Sequence, residues 1–110
     1  MSHAQLALCT CPDVDSARTL AHALVDEHLA ACVSRVPGIT SVYAWQGRIE
    51  EDTEVLLLIK TTSERFAALR ERVVALHPYD VPELIALDID DGLPAYLQWL
   101  QQATSPPEAR

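Results

Sequence analysis

Val55-Leu56-Leu57-Leu58-Ile59 is apolar at odd and even positions alike, and Lys60-Thr61 closes it. Side chains alternate across a strand, so both faces of this one must be out of water. The spacing predicts a strand over 48–60. Upstream, Gln46-Gly47 reads as a hairpin turn, because glycine supplies the positive φ such turns demand. Before the turn, residues 31–45 rise in β-branched and aromatic content, and Pro37-Gly38 interrupts them as a bulge or bend would. Past that interruption Ile39, Ser41, Tyr43 and Trp45 share one face. Downstream, Thr61, Thr62 or Ser63 is expected to cap a helix, with Thr61 and Glu64 at capping-box spacing and Phe66, Leu69, Val73 and Leu76 as its inward stripe. His77-Pro78 ends it.

Further out, residues 5–10 read as a first strand, stopped by Pro12. Asp13 or Asp15 then caps a helix running to about His28, with Ala17, Leu20, Ala21 and Leu24 at helical spacing. Residues 83–89 read as a fourth strand, Asp90-Asp91-Gly92 as a turn, and 95–102 as a terminal helix with Tyr96, Trp99 and Leu100 at packing spacing. Residues 1–104 form one domain in this reading, and 105–110 a frayed tail. The order is the βαββαβ of an α+β, ferredoxin-like fold. Its antiparallel sheet carries the helices on one face, with the first and third strands central. The other face would expose an apolar patch, which predicts an oligomer built through the open sheet, unless the terminal helix folds back over it.

A length of 110 residues suits a single core. Eight basic against sixteen acidic residues leave a net charge of −8, which repels phosphate backbones and argues against nucleic acid as a partner. Hydrophobic content of 49% with aromatics at 5% means an ordered, aliphatic core. No stretch approaches the roughly 20 apolar residues of a membrane span, and Met1-Ser2-His3-Ala4 lacks a secretory signal, so a cytoplasmic protein is expected. Three cysteines, an odd number, suit a reducing compartment. This reading turns Cys9 and Cys11 to opposite faces of their strand, a poor geometry for one metal.

Candidate chemistry is sparse. Lys60, the only lysine, sits at the mouth of the sheet, where it could bind an anion or orient Glu54 or Glu83. The segment 77–83 gathers a histidine, a phenol and two acids between stiffening prolines. His22 is expected in solvent, and His28 near a helix end that favours its charge. The acidic run Glu50-Glu51-Asp52 with Glu54 reads as a solvated hairpin, and Asp88, Asp90 and Asp91 lack the bidentate Glu of a calcium loop. No nucleophile elbow, phosphate loop or dinucleotide fingerprint is present. A Cys–His pair such as Cys32 with His77 is the one nucleophile arrangement left open, without an evident oxyanion hole, and no catalytic residue is assigned.

Six motifs in order span nearly the whole chain: Leu8-Cys9-Thr10-Cys11-Pro12, Leu29-Ala30-Ala31-Cys32-Val33, Ser41-Val42-Tyr43-Ala44-Trp45-Gln46-Gly47, Leu57-Leu58-Ile59-Lys60-Thr61, His77-Pro78-Tyr79-Asp80-Val81-Pro82-Glu83 and Tyr96-Leu97-Gln98-Trp99-Leu100. Together they resemble the CutA divalent-cation-tolerance proteins. The resemblance implies a PII-like homotrimer with sheets facing the three-fold axis, tolerance of divalent metal ions, and binding of copper or a related ion without defined catalysis. Carried over motif by motif, it implies an inter-subunit ligand cleft lined by Tyr43, Trp45, Glu54, Lys60, Tyr79 and Glu83, and a metal set of Cys32, His77 and Cys9. Thiolate and imidazole suit copper or zinc. Ser34 stands where the family usually has asparagine, His28 where it has a basic residue, and Cys11 at a variable place. A PII-like sensor of a small anion held by Lys60, and a Cys–His hydrolase, are the alternative functions.

Overall fold

The run 55–59 lies in a long strand that, in a computed structural model describing residues 2–106, carries the architecture of the protein. In chain order the elements are β1 (Ala4–Cys11), α1 (Val14–Asp26), β2 (Cys32–Trp45), β3 (Arg48–Thr62), α2 (Phe66–Leu76), β4 (Leu84–Asp88) and α3 (Pro94–Ala103). The four strands form one antiparallel sheet in the order β2-β3-β1-β4. The two apolar strands, β1 and β3, are therefore central, as their composition requires.

Register assigns the faces. Ala7, Cys9 and Cys11 on β1 and Val55, Leu57 and Ile59 on β3 are buried beneath α1 and α2, which contribute Ala17, Leu20, Leu24, Leu69 and Val73 to the same core. Leu6, Leu8, Leu56 and Leu58 point the other way and are only half-buried. Beside them on β4, Ile85 and Leu87 remain 51% and 52% exposed. The terminal helix α3 covers one end of this face: Leu100 is sealed against Ala4 and Ala31, with Leu97, Ala103 and Ile89 around it. The apolar face is thus capped at one end and open along β4 and the middle of the sheet.

A bulge and a turn shape the hairpin. Val36 pairs with Leu56 but Ile39 pairs with Glu54, so three steps on β2 match two on β3. The extra residue switches the alternation of β2. Cys32, Ser34 and Val36 before the bulge, and Ile39, Ser41, Tyr43 and Trp45 after it, consequently share the open face. Gly38 takes φ +76° there. At the tip, Gln46 and Gly47 have φ 50° and 77°, the doubly positive pattern of a type I′ turn whose twist matches the strands. The seven pairs from Ile39–Glu54 to Trp45–Arg48 run about 23 Å at 3.3 Å per residue. They form an arm with exposed apolar side chains on both faces, Val42 and Ile49 on one and Tyr43 and Trp45 on the other.

Helix ends show where local signals held and where tertiary contacts overrode them. Asp13 caps α1, its Oδ1 accepting from the Ser16 N–H at 2.7 Å. His28 closes that helix in the left-handed region at φ 58°, donating its N–H to Val25 at 3.1 Å, with its Nδ1 3.3 Å from the Ala103 carbonyl oxygen. The expected capping box on α2 does not form. Strand β3 continues to Thr62, and Thr61 donates its hydroxyl to the Leu29 carbonyl at 2.7 Å. Arg65 precedes α2 without a side-chain cap. Pairing with β1, which matches Ala4 to Thr62 and Gln5 to Thr61, holds these threonines in extended backbone. Of the three residues expected to pack from α3, Leu100 alone is buried. Tyr96 and Trp99 form an exposed ring pair 5.5 Å apart. Of the expected tail, Ser105 bonds back to Gln101 at 3.1 Å, and residues 107–110 lie outside those described.

Candidate functional site

At the base of the hairpin arm the open sheet face meets the segment 77–83. The bulge turns Tyr43 and Trp45 toward this side, β1 brings Thr10, β3 brings Asp52 and Glu54, and the loop after α2 brings Tyr79, Asp80 and Glu83. They line an open cleft of about 1020 Å³. Its lining holds four carboxylates, Asp52, Glu54, Asp80 and Glu83, and no lysine, arginine or histidine. Two phenols orient two of the acids. Tyr43 donates to Asp52, and Tyr79 donates to Glu54 Oε2 at 3.1 Å. Both phenols are pushed up to about 12. For Tyr43 the leading cause is its hydrogen bond to Asp52, and for Tyr79 it is burial, with the bond to Glu54 second. Glu54 is itself buried. A carboxylate that accepts one phenol proton retains lone pairs toward the cleft, so the site is an oxygen-rich, anionic concavity that attracts cations.

His77 stands behind this cleft and is held on both nitrogens. The Tyr79 N–H lies 3.1 Å from Nδ1, and a backbone N–H can only donate, so Nδ1 is the bare nitrogen. The proton therefore sits on Nε2, which donates to the Thr10 carbonyl at 2.7 Å. This arrangement ties the end of α2 to β1 and places Tyr79, whose ring lies 4.9 Å from that of His77, over the cleft.

The expectation about Cys9 and Cys11 requires correction. Residues i and i+2 of a strand share a face, and both thiols are buried on the helix side. Their sulfurs and a His77 ring nitrogen lie within 4.8 Å of one another. The thiols polarise each other: Cys9 is pushed up by its hydrogen bond to Cys11 and by burial, and that same bond holds Cys11 below the usual thiol range.

The structure does not bring the proposed metal set together. Cys32 pairs with Lys60, in the row of Leu6, whereas Cys9 lies in the row of Leu57, three residues along and on the opposite face. That separates the two by about 10 Å along the strands before the sheet's thickness is added. Cys9, Cys32 and His77 therefore do not fit around one ion. Cys32 lies instead 3.9 Å from Lys60 Nζ, which donates to Ser34 Oγ at 2.7 Å. Lys60 is likewise absent from the cleft. Six residues separate it from Glu54 on β3, about 20 Å. Tyr43, Trp45, Glu54, Tyr79 and Glu83 do share the cleft. Sequence reasoning passed over Asp52 and Asp80 there, and Cys11 beside Cys9. Asp52 was legible: a two-residue turn at 46–47 sets Ser41 opposite Asp52 and leaves Tyr43 diagonal to it.

The fold is an antiparallel α+β domain with a carboxylate-lined cleft at the root of a long hairpin. Residues 5–103 match the family described as CutA1 divalent ion tolerance protein, and the chain belongs to that family. It is 56% identical over 100 residues to the divalent-cation tolerance protein CutA of Thermus thermophilus, covering 91% of this chain and 97% of that protein. A solved Thermus thermophilus structure of that name superposes with TM-score 0.91 at 55% identity, over 93% of this chain and 99% of the other. Human protein CutA is 50% identical over 89% of this chain, which spans only 55% of the human protein's length. The Archaeoglobus fulgidus CutA structure, called periplasmic, is 36% identical with TM-score 0.90, over 93% of this chain and 99% of that one. Among the described residues no helix is long and apolar enough to cross a membrane.

Proposed function

We propose that this protein acts in divalent-cation tolerance as a PII-like homotrimer in the cytoplasm, binding divalent metal ions, copper foremost, without catalytic turnover. The observation that carries this reading is the cleft lined by Asp52, Glu54, Asp80 and Glu83 without a basic side chain. Cu(II) accepts oxygen and nitrogen donors and lies at the top of the affinity order for divalent first-row metals. Among the described residues the cleft's carboxylates do not converge as a ready-made set within one chain. A neighbouring subunit seated on the open face and the hairpin arm would complete the coordination, which makes metal binding and assembly parts of one function. The anion-sensor alternative draws no support, since Lys60 lies outside the cleft. The Cys–His hydrolase draws none either, since Cys32 contacts Lys60 and His77 spends both nitrogens on backbone.

Calorimetric titration with Cu(II), alongside sedimentation equilibrium, tests this. The wild type is expected to sediment as three chains and to bind Cu(II), and Glu54→Gln with Glu83→Gln is expected to weaken binding at least tenfold. Undiminished affinity in that double variant, or a single-chain mass, overturns the proposal.

A further inference from the structure

Aromatic rings wall the cleft, and a metal ion has no use for them. Tyr43, Trp45 and Tyr79 line the same concavity as the four carboxylates and are 40%, 60% and 39% exposed. A hydrated ion presents only water to such walls. An alkylammonium presents methylenes that leave water against them and a charge that the ring faces attract. The polar groups are matched to the same ligand. Both phenol hydrogens are committed, Tyr43 to Asp52 and Tyr79 to Glu54, so these phenols and carboxylates face the cleft as acceptors. An ammonium group is donor only. Glu54 carries the sharpest signal. It is 7% exposed, its Oε2 accepts from Tyr79, and its Oε1 has no hydrogen-bond partner among the described residues. A carboxylate so far out of water, with one oxygen unsatisfied at the wall of a cleft, gains from an incoming donor.

The spacing of the charges narrows the class. Asp52 and Glu54 stand two residues apart on one face of β3, which sets their Cα atoms about 6.6 Å apart. Asp80 and Glu83 come from the separate loop after α2, so the negative charge is strung along the cleft instead of converging on one point. In an extended four-carbon diamine the two nitrogens are about 6 Å apart at standard bond lengths. The cleft volume of about 1020 Å³ is of the order that small-molecule sites occupy and far exceeds a single ion. We propose that the cleft binds a linear aliphatic diamine or polyamine, its ammonium groups on Asp52 and Glu54 and its methylenes against Trp45 and Tyr79. This inference rests on the reading of the cleft as a cation site and is independent of copper.

The test is calorimetric titration of the full-length protein with butane-1,4-diamine, Mg(II) and tetramethylammonium at one fixed ionic strength. The diamine and Mg(II) carry the same charge, so general attraction to an acidic surface treats them alike. Tetramethylammonium has the affinity for rings without the second charge. One diamine per chain is expected, bound about tenfold more tightly than either control. Trp45→Ala should weaken the diamine about fivefold and leave Cu(II) affinity within about twofold, because the ring serves only the organic cation. With Trp99→Phe, Trp45 is the sole tryptophan, and its emission should shift as the diamine saturates. Diamine affinity no greater than that of a control, an unmoved Trp45 emission, or undiminished diamine affinity in Trp45→Ala overturns the inference. The comparison of the three cations on the wild type needs no variant and decides the matter even if Trp45→Ala fails to fold. Diamine binding without Cu(II) binding refutes the copper reading alone, and Cu(II) binding without diamine binding refutes this one alone.

Discussion

Truncating Leu87 to alanine separates a lone subunit from one whose open sheet face is covered. In the isolated chain Leu87 is 52% exposed, so about half of its side chain is already out of water. Fully burying a leucine stabilises by about 1.5–3 kcal/mol, and half of that, about 1 kcal/mol, is the loss expected from Leu87→Ala in a monomer. If neighbours cover the face, the same change opens a cavity in a packed interface and costs about 2–5 kcal/mol, as core leucine truncations do. Leu57→Ala provides the internal scale, because Leu57 has no exposure and lies in the core in either case. The measurement is urea unfolding at two protein concentrations tenfold apart, with sedimentation equilibrium on each variant. Homotrimerisation through this face predicts that Leu87→Ala approaches Leu57→Ala in cost, and that the midpoint of the wild type rises with protein concentration. Leu87→Asp is then expected to shift the mass toward single chains. A Leu87→Ala cost near 1 kcal/mol with concentration-independent midpoints refutes the reasoning, and with it assembly through the sheet.

Three other outcomes are expected. Thr61→Val leaves the buried Leu29 carbonyl without its 2.7 Å partner and should cost about 1–3 kcal/mol in urea unfolding, although the two side chains have nearly the same shape. Ultraviolet titration of phenolate absorbance should show Tyr43 and Tyr79 ionising near pH 12. Asp52→Asn should return Tyr43 most of the way to 10, whereas Glu54→Gln should move Tyr79 only partly, because burial is its larger cause. The folded values lie above the unfolded one, so the stability these phenols contribute is intact below pH 10 and is lost as pH rises from 10 toward 12. Asp13, held below the usual carboxylate range by the Ser16 N–H, contributes in the opposite sense. Its stabilisation is present above about pH 3.8 and disappears as pH falls through the lowered folded value, and Asp13→Ala should flatten that acid limb of the melting temperature against pH.

Legibility in the sequence followed the range of the interaction. The apolar run 55–59, the amphipathic stripe of α1 and the Gln46-Gly47 turn are settled by neighbours within a few residues, and each was readable. The α2 cap was not, because Thr61 had a better acceptor 32 residues away in Leu29. Tyr96 and Trp99 sat at packing spacing, but α3 reaches only one end of the sheet and spends Leu100 on the contact. In the site, motif order pointed to Tyr43, Glu54, Tyr79 and Glu83. It also grouped Cys32 and Lys60 with residues that register places elsewhere.

By itself the sequence determined the element order, the centrality of β1 and β3, an interruption of the strand at 37–38 and the anionic charge, all of which follow from alternation, helical period and composition. The tertiary structure alone decided which thiols meet. Cys9 and Cys11 share the helix-side face and Cys32 the open one, because strand pairing assigns faces and rows, and motif order along a chain carries neither. It also decided that both nitrogens of His77 serve backbone and that four carboxylates from two separate segments line one cleft. Those facts depend on contacts across 25 to 67 residues of chain, between Tyr79 and Glu54 and between His77 and Thr10, which only the closed fold brings to hydrogen-bonding distance.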